Sequence, residues 1–315
     1  MEIFKGLGIR REQAPKPEIP FAVEGEYRRS VRSLNKTGIL SLLPESESLG
    51  VLGIDGKEYP MPTPEQVGEL FEKNRELIAN KQKQGFTKLL MTPLAMPVSL
   101  LVDRVGGAIR KHAQEGNIFQ TKRHPDDPAV PVEVDSDEPL YMWQNITTGD
   151  ETGELVYFPN TFTDTAHQGL TKKELVTRPD ICAVAGWSIG LIEEASLQAK
   201  LGEGKRIGGR KQLENGQSPR EYLELLKERG YHGETGWTPE DFLTNFITRL
   251  EETNQISNDW DDNNGVWLPG AYLPQEGAVP FGNWGRDVRQ VRMYGYYPEG
   301  RSEYWGARST VRLAL

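Results

Sequence analysis

The chain has 315 residues, a net charge of −9 and 37% hydrophobic residues, with a mean hydropathy of −0.59. That length allows two domains or one large elaborated one. The acidic balance removes any global pull toward nucleic-acid phosphates or anionic lipid, so neither nucleic acid nor membrane insertion is expected. A single cysteine, Cys182, excludes an intrachain disulfide framework, and its apolar setting reads as a buried small hydrophobe.

In chain order, Met1 to Arg11 has no apolar core long enough for a signal peptide. The most apolar stretch, Leu89 to Val102, is broken by Pro93 and Pro97 and is too short to span a bilayer. A cytoplasmic or virion-associated location is therefore expected. Residues 1–60 carry a basic patch at Arg28, Arg29, Arg32 and Lys36 and read as short strands and loops. Thr63-Pro64-Glu65-Gln66 is a helix start, and Val67, Leu70, Phe71, Leu77 and Ile78 then share one face. Phe86 to Met91 predicts a buried strand, and Pro97 to about Gly116 a second helix. Strand-like pieces follow at Leu140 to Trp143 and Leu155 to Phe158.

Ile189 to Ala199 reads as a third, short helix whose exposed side carries Glu193 and Glu194. Lys200 to Gln217 is Gly-rich and basic, and an exposed loop is expected there. Ser218-Pro219-Arg220-Glu221 and Thr238-Pro239-Glu240-Asp241 repeat the helix-start grammar. Everything after Asp259 predicts strands, turns and aromatics.

Catalytic and metal motifs are sparse. His112, His124, His167 and His232 are scattered, and there is no HExxH, GxGxxG or P-loop. Neither an enzyme nor a cofactor is expected. Asp259, Asp261 and Asn263 form a weak oxygen-rich metal candidate, but Asn264 stands where an EF-hand loop needs glycine and Gly270 where it needs glutamate. The last three dozen residues, by contrast, are crowded with Trp, Tyr and Arg between glycines, the side chains that dominate binding hot spots. Along Arg289 to Tyr294, Val291 and Met293 alternate with Gln290, Arg292 and Tyr294, as a half-buried strand requires.

Three segments carry a resemblance. Ala185 to Glu194, around Gly186-Trp187, resembles the Gly-Trp strand and following helix of C-type-lectin-like domains of the formylglycine-generating-enzyme type. Trp267 to Tyr272 resembles their Leu-Pro-Gly strand entrance. Gly282-Asn283-Trp284 and Gly306-Ala307-Arg308-Ser309 resemble the two ends of the variable cassette in diversity-generating-retroelement target proteins, with a closing strand in Ser309 to Leu315. The resemblance implies an α+β C-type-lectin-like fold over 171–315 with a variable region at about 281–305. Residues 1–60 would then be an N-terminal elaboration, and 61–170 an α/β portion inserted in or preceding that fold.

It further implies a binding face made by Arg286, Asp287, Arg289, Gln290, Arg292, Tyr294, Tyr296, Tyr297, Glu299, Arg301, Glu303 and Tyr304. Trp187, Trp267, Trp284, Trp305, Gly306 and Arg308 would be scaffold. The expected partner is a protein or other macromolecular surface, and oligomeric state stays open. Two rival readings remain: an enzyme on the same fold using Cys182 or the Asp259 to Asn263 carboxylates, and a structural virion or adhesin subunit whose aromatics pack on a neighbouring copy. The copper-binding cysteine pair of the enzymatic branch, its iron-binding histidine set and the sugar-binding calcium motifs of animal lectins are absent from the sequence.

Overall fold

The computed structural model describes residues 23–122, 127–194, 198–258 and 265–314. The first described element is a helix, α1 (Val23–Lys36), not strands and loops. Its apolar residues Val23, Tyr27, Val31 and Leu34 recur at helical spacing, and Tyr27 and Leu34 are buried. Arg28 and Arg29 lie outside, paired with Glu24 and Glu26 one turn back, so the basic patch is the solvated face of a helix. A meander β1 (Ser41–Leu42), β2 (Leu49–Leu52) and β3 (Glu58–Pro60) follows.

The Thr63 start is a complete capping box with Pro64 at the first helical position. The apolar face continues, but Asn74 divides the helix into α2 (Pro64–Lys73) and α3 (Arg75–Lys83). The Asn74 amide donates to Leu70 O at 2.9 Å and to Ala314 O at 2.8 Å, tying the break to the far end of the chain. Next come β4 (Phe86–Thr92), α4 (Val98–Gln114), β5 (Gln120–Thr121), β6 (Val130–Pro131), β7 (Leu140–Met142), α5 (Gln144–Thr152), β8 (Val156–Tyr157) and the single-turn α6 (Lys172–Leu175).

The expected helix at Ile189 is instead a strand, β9 (Ser188–Glu193). Its run of five buried residues lies between two neighbouring strands, so no face of it is free for the polar side a surface helix needs. A Cβ on Gly190 would meet Val311 O at 2.7 Å, so the close approach of the next strand requires glycine there.

The basic Gly-rich segment forms a small hairpin, β10 (Arg206–Ile207) and β11 (Arg210–Lys211), with Arg210 buried instead of exposed. Then come α7 (Pro219–Leu226), β12 (Glu234–Gly236) and α8 (Pro239–Thr253), the two helices opened by capping boxes at Ser218 and Thr238. The described remainder is β13 (Gly265–Trp267), β14 (Ala271–Tyr272), β15 (Val279–Gly285), β16 (Gln290–Tyr296), β17 (Trp305–Ala307) and β18 (Ser309–Arg312).

The fold is α+β: helices pack on several small sheets. One sheet runs β12-β18-β9-β4, the other β17-β13-β15-β16-β7. Helix α8 joins them. Thr92 of β4 donates to Asp241 at its first turn (2.7 Å), and its Phe242 ring fills the space that a side chain at Gly282 of β15 would need. One continuous buried cluster runs from Tyr27 to Leu313 and includes residues of both sheets. Strand β4 pairs with β9, and β7 pairs in parallel with β16, so residues before 171 and after it share these sheets.

Candidate binding face

Strand alternation gives the five-stranded sheet two faces. Val266, Trp284, Val291 and Met293 point into the main core beside α8. Trp267, Phe281 and Ala307 point the other way, into a second cluster with Tyr222 and Leu226 of α7. On that outer side four rings interlock. Trp267 meets Trp305 edge-on with centroids 4.9 Å apart and Phe281 at 5.2 Å. Tyr296 stands on all three, 5.2 Å from Trp305 and 6.2 Å from the other two. Such edge-to-face packing fixes ring orientation at little entropic cost.

The predicted strand is observed in register. Gln290, Arg292 and Tyr294 are half-buried and alternate with buried Val291 and Met293. Tyr296 (42% exposed), Tyr297 (65%) and Tyr304 (42%) project beyond it. Arg292 lies over the Tyr294 ring at 4.8 Å, its Nε donates to the Tyr294 hydroxyl at 2.5 Å, and its Nη1 is 3.9 Å from Asp287. The β15–β16 turn carries half-buried Arg286 and exposed Asp287 and Arg289. Arg289 adopts a left-handed φ of 56° and pairs with Glu133 at 3.1 Å.

The second group of predicted residues sits differently. Glu299 pairs with Arg220 at 2.7 Å and Arg301 with Glu221 at 2.5 Å, so both are tied to the first turn of α7. Exposed Glu303 hydrogen-bonds the Tyr304 phenol and raises its pKa. Thus the twelve residues form two patches, a strand patch around Arg292 to Tyr296 and a loop patch held by α7, with charges of both signs in each.

The loop latch titrates. Glu221 is held below the ordinary carboxylate range, first by the Ser218 backbone N–H, then by the Ser218 hydroxyl and the Arg301 guanidinium. A depressed carboxylate contributes its stability above its unfolded pKa of about 4.3 and loses it as pH falls through the folded value. Acidification through the folded value should therefore remove the Glu221–Arg301 tie and loosen the 297–304 loop while β16 stays paired. Amide exchange followed against pH would show this, and Glu221→Gln, which keeps the cap, should reduce the pH response of the loop. Equal acid sensitivity in β16 would contradict it.

Of the residues expected as scaffold, Trp187, Trp267 and Trp284 are buried, as are Gly306 and Arg308, and Trp305 is half-buried. Burial pulls the Arg308 guanidinium down to about 10. Sequence reasoning missed three contributors. Tyr141 reaches the face because β7 adds in parallel beside β16, its ring 5.0 Å from Tyr294. Phe281 and Asn283 stand opposite Tyr294 and Arg292 in the ladder; the alternation Val279, Phe281, Asn283 was the signal for them. Together with Asp287, Arg292, Tyr294 and Tyr296, they line a concavity of about 490 Å³.

No family model, curated protein or solved structure matches the chain.

The remaining candidates are placed as follows. Burial pushes the Cys182 thiol up to about 12, which leaves it no thiolate at neutral pH. His112 is buried against Phe119, and His167 accepts from Gly169 N at 3.0 Å. Among the described residues no group of three or more His, Cys, Asp and Glu is arranged to hold a metal ion. The metal candidate Asp259, Asp261 and Asn263, and also His124, lie outside the described residues. Among those residues no helix is long and apolar enough to cross a membrane. Glu193, read as solvated, is half-buried and bonds Arg210 at 2.9 Å.

Proposed function

We propose that this chain is a non-enzymatic, receptor- or adhesin-type binding protein that presents the outer face of the five-stranded sheet to a protein or other macromolecular surface. We further propose that 171–315 is a C-type-lectin-like domain and that its exposed side chains at 286–304 form a diversified set. The observation that carries the reading is the mounting of exposed Tyr296 on a buried ring cluster, beside exposed Tyr297 and half-buried Arg292 and Tyr294. Rigid aromatics and arginine at the centre of a patch are the residues that make hot spots.

Two arrangements support diversification. The inward residues Val291, Met293 and Trp284 belong to the core, whereas their outward neighbours do not, so the outward set can change without repacking. In addition, β9, which follows the Gly186-Trp187 pair, is the antiparallel neighbour of β18, which closes the cassette, so both ends of the resembling segment meet in one sheet.

The test is to read the coding DNA across many individuals of the source population. The expected result is variation confined to adenine-containing codons between Arg286 and Tyr304, with the codons for Trp284, Val291, Met293 and Trp305 to Arg308 fixed. A segment no more variable than the rest of the gene would overturn diversification.

A further inference from the structure

The concavity on β15 and β16 is lined by Asn283, whose side-chain acceptor is unpartnered among the described residues. Asn283 is 3% exposed. Its amide nitrogen makes only a 3.4 Å bond to Trp284 O, and its Oδ1 is buried without a hydrogen-bond partner among the described residues. Polar atoms in that position are expensive to leave unmade, and a ligand donor that reaches one recovers the loss. Directly across the ladder stands Arg292, the Cα partner of Asn283. Its Nε is committed to Tyr294, and among the described residues its terminal nitrogens make no hydrogen bond, Asp287 standing 3.9 Å from Nη1. Acceptor and donor thus lie side by side on one face, with the Asp287 carboxylate at the rim and the Phe281, Tyr294 and Tyr296 rings around them.

We infer that this concavity is an anchoring subsite for a primary carboxamide, the side chain of an Asn or Gln on the macromolecular partner. The inference rests on the reading of the face as partner-binding and adds the chemistry of its central contact. A carboxamide offers N–H to Asn283 Oδ1 and C=O to the Arg292 guanidinium, and its second N–H can reach Asp287. Its apolar stem meets the rings. A carboxylate satisfies Arg292 but sets a second acceptor against Asn283 Oδ1 and a second anion against Asp287. An ammonium supplies donors but faces the Arg292 charge. Of these three groups, the neutral fork alone uses both partners.

The experiment uses the intact ¹⁵N-labelled chain titrated with acetamide, acetate or methylammonium, observing the Asn283 side-chain amide and the Arg292 Nε–H. Acetamide should shift both signals saturably, with an apparent affinity at least about fivefold above that of the two ions. Arg292→Met, at a half-exposed site where folding is not at stake, should lose the response. So should Asn283→Leu if it folds. Silence toward acetamide, an equal response to either ion, or an undiminished response in Arg292→Met would each overturn the subsite. Codon variation across 286–304 together with silence toward acetamide would leave the binding face standing and remove only this contact. A saturable acetamide response on an invariant face would keep the subsite and remove the diversification.

Discussion

Trp267→Ala should destabilise the protein by about 3–5 kcal/mol, the usual cost of emptying a fully buried tryptophan site. Trp267 has no solvent exposure and is in edge contact with Phe281, Trp305 and Tyr296 together. Its neighbours come from three different strands held in ladder register, so they cannot collapse into the void without breaking hydrogen bonds. Tyr296→Ala is the informative comparison. That ring belongs to the same cluster but is 42% exposed, so less area returns to water and no closed cavity is left. Its truncation should cost the fold about 1–2 kcal/mol at most, while costing a binding partner about 1–3 kcal/mol. Urea unfolding of both variants checks the first statement. Equal stability losses would mean that the rings are not a foundation with Tyr296 standing on it.

The sequence made local grammar legible and long-range assembly illegible. Helix starts at Thr63, Ser218 and Thr238 could be read because a capping box satisfies orphan N–H groups with residues three positions apart. The same box at Thr171, with Glu174, opens α6 and went unread because only one turn of helix follows it. The inside–outside alternation of β16 was legible because a strand has period two. Ser188 to Glu193 was not, since a short apolar run fits either a buried strand or a helix until its neighbours are known.

The binding face lies between these cases. Tyr294 and Tyr296 could be assigned outward from their own strand. That Tyr141 would join them depends on a parallel pairing across about 150 residues, and that Glu299 and Arg301 would be tied to α7 depends on a contact across about 80. No periodicity encodes such partners. Burial of charge was equally hidden, because Arg210 sits in a stretch whose composition is that of an exposed loop.

That buried arginine leads to a large expected electrostatic effect. Glu234, with a side chain of no exposure, accepts from Lys81 at 2.6 Å, from Arg210 Nε and Nη2 at 2.7 and 2.8 Å, and from Ser309 at 2.6 Å. Arg210 also bonds Glu193 and lies over the Phe86 and Tyr231 rings. One carboxylate therefore joins α3, the β10–β11 hairpin, β12 and β18. Glu234→Gln should cost about 3–5 kcal/mol, because it leaves two cations out of water with Glu193 as the nearest anion. For a chain of this size that is a fall in Tm of roughly 5–8 °C. Lys227→Ala, which breaks an exposed pair with Glu224, should cost under about 1 kcal/mol.

The loss should also depend on pH in a definite direction. Burial lowers the Lys81 pKa, and Glu234 opposes that fall. Without Glu234, burial and the Arg210 charge are opposed by Glu193, so the folded-state pKa drops further below the unfolded value of about 10.4. Between those two values the unfolded chain binds the proton and the folded chain does not, so the stability of the variant rises with pH across that window. The deficit relative to the parent should be greatest at neutral and acid pH and should shrink as pH approaches 10. Adding Lys81→Met should remove most of this pH dependence and restore part of the stability, since the second cation is gone. A deficit that stays constant between about pH 6 and 10 would mean that Lys81 keeps its proton by reaching water, and that the charge cluster opens once its carboxylate is gone.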